Sequence, residues 1–187
     1  MLTKMQNAHT PARIASMPPI IRTLMMGQLT FFGAYSIMSG PGRKKMERYF
    51  TVTPDSGLQA LTTFHLCHTN VVPLAANMVA LGTLGAFHVK AAGANSFLRI
   101  FGLGCIAASL AVAIDARSNP NQTQNGHLGA SAALLAHTCF KNPHFFALNR
   151  FAPLTIAAGA LAYGIYFDDK AIVAGLTAGY AAVLMAL

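Results

Sequence analysis

The sequence predicts an all-α, membrane-embedded protein: a six-helix bundle whose fourth helix is short and central. Two observations carry this expectation. Of 187 residues, 54% are hydrophobic and only 10% charged, where a soluble domain carries about 25% charged residues; the mean hydropathy is +0.47. Apolar stretches also recur at close to the length of a membrane span, which takes roughly 20 residues to cross a hydrocarbon core of about 30 Å.

The first stretch is Ile20–Met38, preceded by Pro18-Pro19. Proline suits a helix start because the N–H it lacks has no partner there. Gly40-Pro41-Gly42 ends that run. Arg43 to Leu66 then mixes polar residues with Tyr49, Phe50, Leu58, Leu61 and Phe64, and reads as an amphipathic connection in the membrane interface. Val71–Phe87 and Phe97–Ile114 form the second and third segments, joined by a turn over Ala91 to Ser96. Asp115 to His127 contains Ser118-Asn119-Pro120-Asn121-Gln122 and reads as a solvated loop. Gly129–Phe140 is too short to cross alone, so it is expected to begin inside the membrane behind other helices. Lys141 to Arg150 leads into Phe151–Phe167, and Asp168-Asp169-Lys170 turns into Ala171–Leu187.

These segments use up the chain, which implies one domain over 19–187 after a basic segment over 1–18. That segment holds Lys4 and Arg13 and no acidic residue. It reads either as a mitochondrial targeting-like sequence or as a short solvated tail.

The formal net charge is +8. If all six segments cross, Lys4, Arg13, Arg22, Lys90, Arg99, Lys141 and Arg150 fall on one side. Arg43, Lys44, Lys45, Arg48, Arg117 and Lys170 fall on the other, so charge gives no orientation. Arg43, Lys44, Lys45 and Arg48 are the one cluster. It reads either as ordinary interfacial flanking or as a contact for an anionic lipid such as cardiolipin. The apolar spans leave no extended basic face for nucleic acid. Cys67, Cys105 and Cys139 form no CxxC pair and are expected to be free buried thiols. Gly175-x-x-x-Gly179 permits close helix approach, with Gly129, Ala130, Ala132 and Ala133 as the expected opposing face.

The most informative stretch is Leu128-Gly129-Ala130-Ser131-Ala132, a serine among small residues at the mouth of an apolar helix. It resembles the GASG nucleophile motif of the rhomboid intramembrane serine proteases. Thr63-Phe64-His65 and Ala75-Ala76-Asn77-Met78 resemble the second core helix of that family's mitochondrial presenilin-associated branch. Phe167-Asp168 followed by Gly175-x-x-x-Gly179 resembles its final helix, and Arg48-Tyr49-Phe50-Thr51 sits where the family has a Trp-Arg loop motif. The resemblance runs from about Met46 to Leu187.

It implies a protease fold with its chemistry removed. A serine hydroxyl is a poor nucleophile until a base takes its proton. The resemblance places that base, a histidine, at Ile172, and no histidine follows His144. It places one oxyanion donor at Asn77 and another at Pro73, which has no N–H to offer and is expected to disturb its helix. Ala132 replaces the last motif glycine, and Glu47 the loop tryptophan. Ser131 and Asn77 are therefore read as vestigial nucleophile and oxyanion positions, with Ser131 a small packing residue. A rescuing base would have to come from His127, His137, His65, His68 or His88.

Other sites are weaker. His65 and His68 lie three apart and share a helix face if the helix continues, as a metal site would want. His137 or His88 are the residue type for a haem axial ligand. Asp115, Asp168 and Asp169 lie at segment ends, which gives no proton relay. No metal or cofactor is expected. The functional expectation is a non-catalytic structural accessory subunit of a mitochondrial inner-membrane complex, either respiratory chain or ATP synthase, with lipids and other subunits as partners. The alternatives are an import or quality-control component binding transmembrane clients, and an active intramembrane protease with an unusual base.

Overall fold

A computed structural model describes residues 17–53, 57–118, 128–142, 158–162 and 169–185. All regular structure among them is helical: α1 Pro19–Ile37, α2 Gly40–Phe50, α3 Leu58–Thr63 with a 3-10 turn Phe64–Leu66, α4 Val71–Ala80, a π-helical turn Leu81–Gly85, α5 Ala86–Ser118, α6 Gly129–Lys141 and α7 Lys170–Leu184. Residues 158–162 are also helical. Residues 1–16 of the targeting-like segment, His127, Phe167, Asp168 and most of the segment Phe151–Phe167 lie outside the described residues.

Proline opens α1 as expected. Its buried residues are Ile21, Gln28 and Tyr35, seven positions apart each time, so α1 meets the rest of the molecule along one narrow seam. Gly40, at φ 54, turns the chain out of α1, a backbone conformation costly for any residue with a Cβ. Gly40-Pro41-Gly42 thus forms the first turn of α2 rather than a loop.

Among the described residues, one helical stretch, Val71–Ser118, is long and apolar enough to cross a membrane, with mean hydropathy 2.1 over its most apolar 18-residue window. Gly93 divides it, at φ 87 and ψ 164. His88 Nε2 lies 3.0 Å from Ser96 Oγ, whereas eight residues of straight helix would separate them by about 12 Å. The chain therefore doubles back at Gly93, and the expected turn over Ala91 to Ser96 shrinks to one residue. A second correction concerns Pro73. It lies in the first turn of α4, where backbone N–H groups have no intrahelical partner, so it leaves the helix undisturbed. The N-cap Asn70 side chain accepts the N–H of Val72 there.

The third correction is at Asp115. The solvated loop was expected to begin there, but α5 continues to Ser118 and Asp115 is buried. Its carboxylate takes the Lys170 ammonium at the start of α7.

Small residues bring α5, α6 and α7 together. A methyl placed on Gly175 would strike the backbone of Gly129, and one on Gly179 the backbone of Ala133. A methyl on Gly104 would lie 2.6 Å from Ala133 Cβ. The expected pairing of Gly175-x-x-x-Gly179 with the start of α6 is thus present. Because Gly129 faces Gly175 and Ala133 faces Gly179, α6 and α7 run parallel. Gly129 also packs on Ala108, ten residues before the end of α5 at Ser118, so α6 begins about 15 Å inside the end of α5. Nearly all of α6 from Gly129 to Cys139 is buried, as expected of a short central helix. The main core joins Ile21, Leu81, Leu84, Phe97, Ile100, Ala133, Leu134 and Ala182.

Candidate functional site

Ser131 sits in the first turn of α6, 4% exposed. The interlocked glycines and alanines on both sides fix its depth. Its hydroxyl donates to Oδ1 of Asn77, which α4 supplies. Asn77 Nδ2 donates to Gln28 Oε1 at 2.9 Å, and Gln28 Nε2 donates to the His65 carbonyl at 3.4 Å. His65 Nε2 lies 3.0 Å from Ser109 Oγ. Ser109 Oγ also lies 2.7 Å from the Leu61 carbonyl and 2.8 Å from the Cys105 carbonyl, either of which accepts its proton.

The result is a buried polar chain through α6, α4, α1, the 3-10 turn and α5. Gln28 is 1% exposed and Asn77 3% exposed, so each bond replaces one that water would otherwise supply. The sense of donation is uniform from Ser131 to the His65 carbonyl. Gln28 is a member of the site that the sequence does not single out, since the run Ile20–Met38 also carries Arg22, Thr23, Thr30 and Ser36.

The acceptor of the Ser131 proton decides the chemistry. An amide oxygen accepts a hydrogen bond but does not take up the proton at neutral pH, so this contact does not generate an alkoxide. Asn77, expected as an oxyanion donor, turns its NH2 toward Gln28 and presents its oxygen to Ser131. Ile172 is buried and packs with Ala132, Ala136 and Leu176. Its backbone N–H is held by the Asp169 side chain as the N-cap of α7, so the position is apolar packing on a capped helix start.

Among the described residues, the histidines lie in two places. The 3-10 turn ends at Leu66, so the helix does not continue from His65 to His68 and the two do not share a helix face. His88 and His137 are buried and meet edge to face, with centroids 4.9 Å apart. That contact leaves no room for a macrocycle between them. Among the described residues, no three His, Cys, Asp or Glu side chains gather as a metal site would need. The three cysteines are free thiols.

The basic cluster splits in two. Arg43 turns toward α1: its Nη2 donates to the Tyr35 hydroxyl at 2.8 Å, and its guanidinium lies 4.4 Å from the Tyr35 ring centroid. Tyr35 in turn donates to Glu47 at 3.0 Å, and Glu47 pairs with Arg43 at 3.4 Å. Lys44, Lys45 and Arg48 are exposed. Comparison with protein-family models and with curated proteins finds no match to the chain.

Proposed function

We propose that the chain is a polytopic, catalytically silent rhomboid-like membrane protein. In this reading it is a structural accessory subunit of a mitochondrial inner-membrane complex, in the respiratory chain or an ATP synthase.

The observation that carries the silent-site reading is the bond from Ser131 to Asn77, with apolar Ile172 where the resemblance places a base. Three features support membrane embedding. Leu98, Ile106, Leu110 and Ile114 form an exposed apolar stripe on α5, while Gln28, Asn77 and Ser131 are inside, the reverse of a soluble domain. The exposed hydroxyls of Thr23, Thr30, Ser36, Thr83, Ser118 and Thr177 each donate to a carbonyl four residues earlier, as a hydroxyl facing lipid must. Lastly, the apolar run Phe151–Phe167 lies in the sequence between the parallel helices α6 and α7, and a sixth segment there is part of this reading.

A built-in subunit is the reading that fits a chain whose polar groups serve internal packing. Lateral apolar faces remain for lipids and neighbouring helices. The deciding experiment is purification from native membranes in mild detergent, with native-gel migration and mass spectrometry. Stoichiometric respiratory or ATP synthase subunits are expected. Co-purified import components, or no partner, would overturn the accessory-subunit reading. Cleavage of a transmembrane substrate that is lost in Ser131→Ala would overturn the silent-site reading.

A further inference from the structure

We infer that the outer face of α2 binds the phosphates of an anionic phospholipid headgroup through Lys44, Lys45 and Arg48, with Tyr49 beside them at the lipid boundary. The inference rests on the membrane reading above and adds a ligand to it.

Helical geometry assigns the faces. At 100° per residue, Lys44, Arg48, Lys45 and Tyr49 fall within about 140° of arc. Met46, Phe50, Arg43 and Glu47 occupy the opposite side. The contacts agree with that division: Met46 is buried with Tyr35 and Cys67, the tilted rings of Phe50 and Phe31 meet with centroids 4.6 Å apart, and Arg43 and Glu47 engage Tyr35. Met46 and Phe50 thus turn inward, Arg43 and Glu47 lie half exposed against Tyr35, and Lys44, Lys45 and Arg48 face outward.

Position supplies the second argument. Ile37 and Met38, at the end of α1, are 85% and 41% exposed. The chain turns into α2 two residues later, at Gly40. The basic face thus begins where an apolar face ends, which is the level of lipid phosphates. Lys44 and Arg48 are one turn apart and Lys45 is offset from both, so two phosphates are better matched than one. This favours cardiolipin over a single-phosphate headgroup, and any lipid headgroup over free phosphate, which lacks the acyl anchor.

The test uses the full-length protein reconstituted in phosphatidylcholine vesicles doped with cardiolipin or with phosphatidylglycerol. Bound lipid is quantified by mass spectrometry after detergent extraction, and inorganic phosphate serves as competitor. Cardiolipin retention is expected to exceed phosphatidylglycerol retention and to fall about 100-fold in affinity in K44Q/K45Q/R48Q, since each cation near the surface is worth about fivefold. K44R/K45R should retain it. Equal retention by the wild type and the triple variant overturns the headgroup site and leaves the membrane reading standing. Displacement by millimolar phosphate also overturns it, and failure to enter any vesicle overturns both. Circular dichroism verifies that the triple variant is folded.

Discussion

The hydroxyl of Ser131 donates to the amide oxygen of Asn77, fifty-four positions away in the chain. Both groups are buried, so removing one side strands the other. Ser131→Ala is expected to cost about 1–2 kcal/mol, and Asn77→Ala more, because it also frees Gln28. A double-mutant cycle, read by thermal unfolding in detergent, should return a coupling of about 1 kcal/mol. Additive effects would show that the pair does not interact.

The ion pair between Asp115 and Lys170 joins α5 to the start of α7, with the aspartate side chain 4% exposed and the lysine 42%. Asymmetric exposure predicts asymmetric mutants. Lys170→Met leaves a buried carboxylate without this cation and is expected to lose about 2–3 kcal/mol, whereas Asp115→Asn removes the buried charge itself and loses less. Equal losses would contradict the assignment of the buried partner.

Gly175 and Gly179 admit no Cβ without moving the backbone of α6. Gly179→Leu is expected to cost more than the 1–3 kcal/mol typical of overpacking, because the obstacle is backbone rather than a movable side chain. Gly102, which meets nothing, is the internal control: Gly102→Ala should be neutral or slightly stabilising. The same unfolding assay compares them.

Cys67 lies between the 3-10 turn and α4, packed on Tyr35 and Met46. Burial, with a smaller contribution from the Glu47 carboxylate, pushes its thiol up to about 11 from 9.0. The folded state therefore holds the proton where the unfolded chain has released it. The associated stability is full below about pH 9 and is lost as pH rises toward 11. In a C105A/C139A background, maleimide labelling at pH 8 should run about 100-fold slower than for an exposed cysteine and accelerate as pH approaches 11. Fast labelling at pH 8 would refute this.

What was legible in the sequence follows from range. Apolar length and the serine in its small-residue setting are local signals. They located α1, the central α6 and the glycine face of α7. The pairing of Gly175 and Gly179 with α6 was readable because close packing demands small residues at one fixed spacing. The role of Gln28 was not, since one glutamine in an apolar run says nothing about a partner forty-nine residues on. The cluster Arg43, Lys44, Lys45 and Arg48 looked uniform because it was read as part of a connection, and the helix over Gly40–Phe50 puts Arg43 against Tyr35 and on a different face from the others. Pro73 was misread because its distance from the helix start decides its effect, and Asn70 sets that start.

The heptad seam of α1 bears on the order of assembly. Ile21, Gln28 and Tyr35 are made early, and the partners of Gln28 and Ile21 come from residues synthesised later. The first helix meets mainly the 3-10 turn, α4 and the π-helical turn, so the N-terminal half of the chain supplies most of the surface on which α1 docks, before the parallel pair α6 and α7 is made.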